Sequence, residues 1–420
     1  MLPGKIANKR LAGKGQKAFE WASSRMPIIG KIVSEHRRSR PLAGLRLGFC
    51  LHVTKETSVL VMSAKALGAK VAICSANPLS AHDDVAAFLS RHGVSVFAWR
   101  GETKREYEKC IRDVINFKPA IITDDGGDLH SACHEAGAKQ ILGGTEETTS
   151  GVRRLMALQS SGRLAYPVIA VNNARTKHLF DNRYGTGQST FDAILRATSV
   201  LLAGKQVVVC GYGWVGKGVA ARARGLGASV TVTEIDPVSA LEARMDGFAV
   251  KTMADSAAQG DIFITCTGQT GVIRKEHFRK MKDGAILANA GHFDVEIDVA
   301  YLYSSSRRPK EVRPGVEQFI NNGKNLYLLS KGRVANLVLA DGNSPEVMAL
   351  SFANQLLSIL HIARNYEKME AKVYDVPAAM DEKVAGYALA SMGIEIDSLT
   401  AEQRRYQSAL GSNLEARLKL

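Results

Sequence analysis

The chain has few cysteines and few aromatic residues, and no hydrophobic run long enough to cross a membrane. Its 420 residues include only 6% aromatic residues and six cysteines. The cysteines are Cys50, Cys74, Cys110, Cys133, Cys210 and Cys266. They form no C-x-x-C pair and no cluster with histidines at metal-ligand spacing, so we expect reduced, mostly buried thiols and no metal site. No apolar run approaches the roughly 18 residues of a membrane span. The N-terminus lacks the apolar region of a secretory signal, which favours a cytoplasmic globular protein and no membrane partner.

Positive charge is in excess, and most of the excess lies in one segment. The net charge is +14, and residues 1–50 hold eleven Lys and Arg against two acids, which accounts for +9. A basic segment binds nucleic acid when a recognition motif or an aromatic platform accompanies it. Neither is present, so we expect a solvated basic segment and no nucleic-acid partner, with an RNA-binding patch as the weaker alternative.

Short apolar segments alternate with amphipathic segments, which predicts parallel sheets covered by helices. We expect strands at 45–51, 71–74, 94–98, 121–123, 140–142 and 167–171. In such sheets ligands bind outside the carboxyl ends of the strands. His52 and Thr54 follow the first predicted strand, and Asp125 and Glu147 follow the fourth and fifth. An imidazole, a hydroxyl and two carboxylates are therefore predicted to face one crevice.

Residues 207–218, VVVCGYGWVGKG, predict a dinucleotide site. An apolar strand leads into a G-x-G-x-x-G turn at Gly211, Gly213 and Gly216, and the following helix presents its N-terminal N–H groups to a pyrophosphate. The next predicted strand, 229–233, ends at Glu234, where a carboxylate accepts from ribose hydroxyls and repels a 2′-phosphate. The combination favours NAD over NADP. The alternative is a cofactor-free α/β turn.

The chain divides into three predicted parts. Residues 1–183 form a substrate-binding α/β domain, residues 184–340 an NAD-binding Rossmann domain, and residues 341–420 a returning helix with a helical tail. Within the second part we expect a helix at 189–203 and strands at 261–265 and 285–290. Residues 345–360 are apolar on more than one face, so the first domain or another subunit must cover them. The predicted fold class is α/β, with two doubly wound Rossmann-like domains and a C-terminal helical segment.

Lys177 and Asp181 are the strongest candidates for redox chemistry. They are four positions apart and share a face if the connector 172–182 is helical. A lysine beside a carboxylate can hold and deprotonate an alcohol that is oxidised by NAD. Asp125 and Glu147 add acceptors, and His52 can move a proton near neutral pH. Together they predict oxidation of a polyhydroxylated ligand; an exposed ion pair, a polar turn and a structural histidine are the alternatives.

From about residue 17 to residue 400 the chain resembles the S-adenosyl-L-homocysteine hydrolase family. The matching stretches are 51–57 (LHVTKET), 99–103 (WRGET), 123–129 (TDDGGDL), 146–152 (EETTSGV), 177–185, 211–218, 233–237 (TEIDP) and 291–298 (GHFDVEID). The resemblance implies a homotetramer in one-carbon metabolism and a tightly bound NAD that is regenerated in each turnover. Family members oxidise the ribose 3′-hydroxyl, eliminate homocysteine, add water and reduce the ketone back.

The resemblance also implies roles for individual residues. Lys177 and Asp181 would handle the 3′-hydroxyl, Glu147 would bind the ribose hydroxyls, and Asp125 and His52 would transfer protons at the 4′ and 5′ positions. His292, which precedes Phe293, would join the catalytic set and gate the substrate channel. The nucleoside would contact Thr54, Glu56, Thr57 and Asn343, with Glu56 at the base edge. NAD would contact Thr148, Thr149, Ser150, Asn182, Gly211, Gly213, Trp214, Val215, Gly216, Lys217, Gly218, Glu234, Ala290, Gly291 and Asn336.

Departures from the family pattern leave three functions open. Asn343 replaces a histidine that lies against nucleoside and cofactor, and Trp214 replaces a common acid in the glycine turn. The chain also ends without the Lys and Tyr tail of longer members, as in shorter bacterial and archaeal ones, which predicts a weaker grip on NAD. The leading prediction is NAD-dependent hydrolysis of S-adenosyl-L-homocysteine or a close nucleosidyl thioether. The alternatives are a paralogue that oxidises another nucleoside and a non-catalytic regulator that binds NAD or adenosine.

Overall fold

The computed structural model describes residues 4–306 and 309–417. The strands are β1 Arg46–Cys50, β2 Lys70–Cys74, β3 Ser95–Phe97, β4 Ile121–Asp124, β5 Gly143–Glu146, β6 Val168–Ala170, β7 Gln206–Cys210, β8 Ser229–Thr233, β9 Ala249–Val250, β10 Ile262–Thr265, β11 Ala285–Asn289, β12 Lys310–Arg313, β13 Val316–Asn321, β14 Lys324–Leu329 and β15 Val373–Asp375. The helices are α1 Ala12–Ser24, α2 Pro27–His36, α3 Lys55–Ala66, α4 Asp83–Arg91, α5 Lys104–Asn116, α6 Asp128–Glu135, α7 Thr149–Ser160, α8 Arg175–Lys177, α9 Thr186–Thr198, α10 Trp214–Gly225, α11 Pro237–Met245, α12 Met253–Ser256, α13 Lys275–Lys280, α14 Val299–Ser305, α15 Ala335–Leu339, α16 Pro345–Asn365, α17 Ala378–Ser391 and α18 Ala401–Arg417. The strands form two separate sheets, so the predicted α/β class is confirmed.

The first sheet places three site residues at adjacent strand ends. Its order is β15-β6-β5-β4-β1-β2-β3, and its neighbouring strands pair in parallel. The chain runs outward in both directions from β1, which puts the topological switch point between β1 and β4, where ligands bind in doubly wound sheets. His52, Asp125 and Glu147 follow β1, β4 and β5 at that edge.

The predicted strand at 140–142 is wrong, because the strand lies three residues further on. Strand β5 begins with Gly143 and Gly144, which carry no apolar side chain to signal it. Both positions are crowded. A Cβ atom on Gly143 would lie 2.8 Å from Cγ2 of Ile362, and one on Gly144 would lie 2.5 Å from Cε1 of His130. Because Ile362 of α16 and His130 pack closely on this strand, the first two positions of β5 have no room for the apolar side chains from which a strand is predicted.

The second sheet has the order β12-β13-β14-β11-β10-β7-β8-β9. The strand predicted at 229–233 is β8, and those predicted at 261–265 and 285–290 are β10 and β11, each within one residue. The helix predicted at 189–203 begins and ends earlier, as α9. The antiparallel pairs β12–β13 and β13–β14 were not predicted; they extend the parallel part of the sheet beyond β11.

After the second sheet the chain returns to the first. Helix α16 packs against α2, α3 and the strands of the first sheet, and its side chains belong to the same hydrophobic core. The prediction that no apolar run approaches a membrane span is wrong by length and composition, since the stretch Pro345–Lys368 is long and apolar enough to cross a membrane; 72% of its most apolar window is buried in the protein. The sequence predicted that either the first domain or another subunit covers this segment, and in the structure the first domain covers it.

The last part of the chain is not only helical, as the sequence predicted. Strand β15 pairs with β6 and forms an edge of the first sheet, with Val373 opposite Val168. The cysteines are free and mostly buried, as predicted, with five of the six thiols buried and Cys266 partly buried. The predicted helical tail includes residues 418–420, which lie outside the described residues.

Candidate active site

A cavity of about 1040 Å³ lies between the carboxyl edge of the first sheet and the glycine turn of the second. Most of the predicted site residues line it. They are His52, Thr54, Glu56, Thr57, Asp125, Glu147, Thr148, Thr149, Ser150, Lys177, Asp181, Asn182, Gly211, Gly213, Trp214, Val215, Glu234, Ala290, Gly291, His292, Asn336 and Asn343. Gly216, Lys217 and Gly218 do not line it. The structure therefore brings candidate nucleoside and cofactor residues into one chamber.

A buried cluster of one cation and two carboxyl groups forms one wall of the cavity. Lys177 Nζ lies 2.9 Å from Oδ2 of Asp181 and 3.6 Å from Oε1 of Glu147, and all three side chains are nearly fully buried. The same ammonium donates to Oδ1 of Asn182 at 2.8 Å. Lys177 ends α8, and a π-helix follows over His178–Gly185. In the wider π turn the lysine reaches side chains both four and five positions on.

The electrostatics of this cluster favour a charged lysine and a carboxyl group that titrates near neutrality. Burial raises the pKa of Glu147 to about 7, and Lys177 opposes that rise. Burial alone would lower the pKa of Lys177, but the charges of Asp181 and Glu147 raise it above its usual range. An opposite charge within about 4 to 6 Å favours the ionised form. The cluster can therefore take up or release one proton at physiological pH.

Two side chains of α16 complete the cluster, and neither was predicted from the sequence. Ser351 Oγ lies 2.7 Å from Oε1 of Glu147 and 2.8 Å from Oδ2 of Asp181. Gln355 Nε2 donates to Oε2 of Glu147. Both are fully buried. Buried polar residues four apart in a mostly apolar helix were the available signal, since such residues share a face and need buried partners.

Two histidines flank Asp125. His52 Nε2 lies 3.5 Å from Oδ2 of Asp125, and His292 Nδ1 lies 3.5 Å from Oδ1. The other ring nitrogen of His52 is 2.7 Å from Oγ of Ser80. Burial lowers the pKa of His52 to about 4, so the ring is neutral at physiological pH. Glycine at position 126, where φ is +111°, leaves room for the ring of His292. A Cβ atom at this position would lie 2.2 Å from Nε2 of His292.

Glu146 holds the loops that carry Asp125 and Thr148 by accepting hydrogen bonds from both loops. Its Oε1 atom accepts from the backbone N–H groups of Gly126 and Thr148, each at 2.9 Å, and from Oγ1 of Thr148 at 2.8 Å. Glu146 is fully buried, and burial raises its pKa well above the usual range. Asp124, its partner across the β4–β5 pairing, accepts from the N–H groups of Asp125 and His130. These two carboxyl groups fix the backbone on which the site residues stand.

The glycine turn suits a dinucleotide. Gly211 has φ +99°, which favours glycine. A Cβ atom on Gly213 would meet nothing within 4 Å, so this position opens onto the cavity. Asn336 lines the same cavity, and its Oδ1 atom is buried without a hydrogen-bond partner among the described residues. Glu234 follows β8 and accepts from the backbone N–H of Tyr212 at 2.6 Å. An open glycine, an unpaired amide oxygen and a carboxylate at the second strand end fit NAD.

Gly216, Lys217 and Gly218 support the turn from outside the cavity. A Cβ atom on Gly216 would lie 2.0 Å from the carbonyl oxygen of Gly211, and one on Gly218 would lie 1.8 Å from that of Arg183. Lys217 pairs with Glu242 at 2.7 Å, and its Nζ atom lies 4.5 Å from the ring centroid of Trp214. Through these contacts the three residues hold α10 against the glycine turn and its neighbours. They do not form part of the cavity wall.

Trp214 connects the glycine turn to the π-helix. Its ring stacks on His178 with centroids 4.9 Å apart and planes 27° apart. Stacked aromatic pairs in this range are worth about 0.5–1.5 kcal/mol beyond the area they bury. The substitution in the turn therefore adds a contact to the segment that follows Lys177.

Asn343 lies among polar groups from both halves of the chain. Its Nδ2 atom donates to Oδ1 of Asp181, and its Oδ1 atom accepts from Ser189 Oγ at 2.7 Å. Asn336 Nδ2 donates to Ser189 Oγ at 3.0 Å. A Cβ atom on Gly185 would lie 3.0 Å from Cγ of Asn343, so the position is tightly packed. Asn343 thus joins Asp181 to the NAD side of the cavity without adding a charge.

Thr54, Glu56 and Thr57 stand at the start of α3. Thr54 caps the helix by accepting from the N–H of Thr57, and Thr57 donates to the carbonyl oxygen of His52 at 2.6 Å. Glu56 is 1% exposed, with Lys55 Nζ 3.1 Å from its Oε1 atom. Burial raises the pKa of Glu56, and Lys55 opposes that rise. These contacts hold a paired carboxyl group at the cavity wall.

Comparison with known proteins gives close relatives over nearly the full length. The family model described as S-adenosyl-L-homocysteine hydrolase matches residues 4–140, and the model of its NAD binding domain matches residues 182–342. The chain is 54% identical to the adenosylhomocysteinase of Sulfurisphaera tokodaii over 96% of this chain and 97% of that one. It is 51% identical to the adenosylhomocysteinase of Aquifex aeolicus over 96% of this chain and 98% of that one. It is also 50% identical to the S-inosyl-L-homocysteine hydrolase of Methanocaldococcus jannaschii, over 94% and 95%.

Proposed function

We propose, from the premise that the chain belongs to the S-adenosyl-L-homocysteine hydrolase family, that it hydrolyses S-adenosyl-L-homocysteine reversibly to adenosine and homocysteine. It is an NAD-using enzyme of this family. The observation that carries the proposal is the buried cluster of Lys177, Asp181 and Glu147, which faces the same cavity as the glycine turn. An NAD site beside an alcohol-binding acid–base cluster suits transient oxidation of the ribose.

Lys177 and Asp181 act first, at the 3′-hydroxyl. When bound, NAD would supply a hydride acceptor at the 3′-carbon and would return the hydride later, so that the 4′-hydrogen would be acidic while the 3′-position is a ketone. The ammonium of Lys177 donates to the hydroxyl oxygen and stabilises its negative charge as the proton leaves. Asp181 and Glu147 supply the two acceptors at this point, and Glu147, with a pKa of about 7, has room for the proton.

Asp125 and His52 act at the 4′ and 5′ positions. His52 is neutral at physiological pH, because burial lowers its pKa to about 4. A neutral ring can donate to the leaving sulfur only a proton that it has first received, so that it ends neutral again. Asp125, 3.5 Å away, would take the 4′-hydrogen as a proton and pass it to His52 through a small shift, and His52 would then donate it to the leaving sulfur. The same ring then takes a proton from the water that adds at the 5′ position.

The nucleobase is assigned through Glu56. An ionised carboxyl group is an acceptor only, so it accepts from the exocyclic amino group of adenine and repels the carbonyl oxygen of hypoxanthine. Burial raises the pKa of Glu56, and Lys55, with Nζ 3.1 Å from Oε1 of Glu56, opposes that rise and favours the ionised form. Glu56 therefore supports adenosine, whereas the relatives named S-inosyl-L-homocysteine hydrolases make the inosyl thioether the comparison substrate.

The test is one assay that follows thiol release and NADH absorbance together, with the purified protein, NAD⁺ and each thioether in turn. We expect homocysteine release from S-adenosyl-L-homocysteine and at least a tenfold lower kcat/KM for the inosyl compound, the size of about 1.4 kcal/mol of discrimination. Equal or reversed preference would reject the role of Glu56. NAD⁺ reduction by adenosine without thiol release would favour a paralogue that stops at oxidation. Neither signal, with NAD bound, would favour a non-catalytic regulator.

We also propose a homotetramer located in the cytoplasm. One face of α11 supports association, because it exposes the apolar side chains of Val238, Leu241 and Met245 at helical spacing. Exposed apolar faces of this kind mark protein interfaces. Mass determination in solution tests it, and a monomer over the micromolar range would contradict it.

A further inference from the structure

Ser351 touches two carboxyl groups with a single hydroxyl. Its Oγ atom is 2.7 Å from Oε1 of Glu147 and 2.8 Å from Oδ2 of Asp181, and the residue is 0% exposed. Both distances are ordinary for O–H···O hydrogen bonds. Ser351 is on α16, outside the lining of the cavity, and the mechanism proposed above makes no use of it.

The hydrogen atoms in this arrangement can be counted. A serine hydroxyl carries one hydrogen and can donate to only one acceptor at a time, whereas an ionised carboxyl group has no hydrogen to offer. If Glu147 and Asp181 were both ionised, one of the two contacts would bring oxygen lone pairs together in a buried place, which is costly. Both contacts are satisfied when the three groups share one additional proton.

The neighbours decide which carboxyl group holds that proton. Asp181 already accepts from Lys177 at Oδ2 and from Asn343 at Oδ1, and such donors stabilise its ionised form. Glu147 accepts from Gln355 at Oε2, which leaves Oε1, the oxygen that faces Ser351 and lies 3.6 Å from Lys177 Nζ, as the position for a proton. Lys177 is 0.7 Å further from Glu147 than from Asp181, at 3.6 against 2.9 Å. When one additional proton enters the cluster, it therefore rests on Oε1 of Glu147 and points at Ser351.

We propose that Ser351 is a relay and positioning residue through which the proton of the substrate hydroxyl passes from Asp181 to Glu147 and back. This inference rests on the proposed transient oxidation. Oxidation of an alcohol to a ketone releases a hydride, with both electrons, which bound NAD would accept, and one proton; the later reduction needs one proton back. A store within the closed site returns the same proton without exchange with bulk water.

The step balances. Before oxidation Glu147 is ionised and accepts from the hydroxyl of Ser351. Asp181 takes the proton of the substrate hydroxyl and donates it to Oγ of Ser351 as the hydrogen of Ser351 moves to Glu147. One O–H bond breaks on the substrate and one forms on Glu147, while Asp181 and Ser351 end as they began. The pKa of Glu147, raised by burial to about 7, suits a group that must both take and return a proton.

The other charged groups that face this relay do not replace it. Lys177 is charged, since its pKa is raised by the two carboxyl groups, so it has no vacancy for a proton. Asp125 contributes a more distant negative charge and faces the two histidines. Gln355 and Asn343 are amides and do not titrate.

A direct test reads the carboxyl group itself and needs no turnover. Infrared difference spectra of the protein with NAD, recorded between about pH 5 and pH 9, report the C=O band of protonated carboxyl groups. We expect a band that disappears near neutrality in the wild type, is absent in Glu147→Gln and changes frequency in Ser351→Ala. Absence of any band that depends on Glu147 would mean that this group stays ionised, and would overturn the relay whether or not the enzyme is active.

A kinetic test follows the reduction of bound NAD⁺ by adenosine in a single turnover. In Ser351→Ala we expect the rate constant for NAD⁺ reduction to fall by about 10²-fold, the scale of lost general acid–base catalysis. The adenosine concentration that gives half of the maximal rate should stay within about twofold of the wild-type value. Ser351→Thr keeps a hydroxyl and should recover most of the rate. The solvent deuterium isotope effect should be present in the wild type and in the threonine variant and altered in the alanine variant.

The matched control is Ser358→Ala. Ser358 is also on α16 and also 0% exposed, but its hydroxyl contacts the sulfur of Met380 at 3.7 Å, away from the cluster. It should retain the wild-type rate within about twofold. A Ser351→Ala rate and isotope effect equal to those of the wild type would reject the relay. If the wild type reduces no NAD⁺ with any nucleoside, the proposed function and the relay both fall, while the infrared band still shows whether the proton is shared.

Discussion

Nζ of Lys177 lies 2.9 Å from Oδ2 of Asp181, with side chains that are only 5% and 6% exposed. A buried pair of this kind contributes little net stability when intact, but loss of one partner costs about 3–5 kcal/mol because the other charge is left unpaired. Glu147 adds a second carboxyl group to the same ammonium. The charges that we assign to the ribose chemistry therefore also hold the site together.

Lys177→Gln should abolish NAD⁺ reduction by adenosine and lower the free energy of unfolding by about 3 kcal/mol, because two carboxyl groups lose their cation. Lys109→Gln is the matched control, since Lys109 and Asp113 form an exposed pair with the same spacing and a distance of 2.7 Å. The control should change stability by less than about 0.5 kcal/mol. Stopped-flow absorbance and denaturant unfolding measure the two effects, and equal behaviour of the two variants would refute the assignment.

Glu147 should make stability depend on pH in a defined window. Its ordinary pKa is 4.5 and its pKa in the folded protein is about 7, so between these values the folded state keeps a proton that the unfolded state has lost. The protonated Glu147 therefore contributes fully to the free energy of unfolding below about pH 4.5. This contribution falls as the pH rises to about 7, by up to about 3 kcal/mol. The difference in unfolding free energy between the wild type and Glu147→Gln, measured across this range, should show that slope; a flat difference would contradict it.

Glu146 should matter for the position of Asp125 and Thr148 rather than for chemistry. Glu146→Ala leaves the N–H groups of Gly126 and Thr148 without their acceptor, at about 1–3 kcal/mol for each unpaired group, and should raise the apparent Kd for NAD. Glu146→Gln keeps an acceptor oxygen and is the matched variant. Calorimetric NAD titration and thermal unfolding distinguish the two. Similar losses in both variants would mean that charge, not the acceptor geometry, holds these loops.

Asn343→His should change substrate preference or pH dependence. The asparagine donates to Asp181 and is packed against Gly185, so a histidine must displace neighbours and brings a group that titrates near neutrality. We expect the ratio of kcat/KM for the adenosyl and inosyl thioethers to change by about tenfold, which is about 1.4 kcal/mol. An unchanged ratio and an unchanged pH profile would show that this position does not set specificity.

Much of the fold follows from periodic apolar segments, and the exceptions have physical causes. Strand β8 was predicted to the residue, because Val230 and Val232 alternate with threonines before a carboxylate. Strand β5 was misplaced, because packing against Ile362 requires glycine where a strand would show apolar side chains. Strand β15 has only three residues and pairs with β6, far away in the chain, so no local pattern announces it.

The site followed from the sequence as far as strand ends and glycine turns determine it. His52, Asp125 and Glu147 were placed by the rule that ligands gather at carboxyl ends of parallel strands. Ser351 and Gln355 were not, because whether a polar residue in an apolar helix meets a catalytic group depends on how the helix crosses the sheet. The π-helical turn that lets Lys177 reach both Asp181 and Asn182 was equally invisible, since its sequence reads as an ordinary helical connector.

The return of α16 and β15 to the first sheet has a consequence for biosynthesis. The second sheet is built from one continuous stretch, β7 to β14, whereas the core of the first sheet includes residues as late as Val384 and Ala388. During translation the second sheet is therefore complete on the ribosome while the earlier-made sheet still lacks its covering helix. Contacts of such long sequence separation form slowly and leave apolar surface exposed in the meantime. We therefore expect the half of the enzyme that is synthesised first to finish folding last.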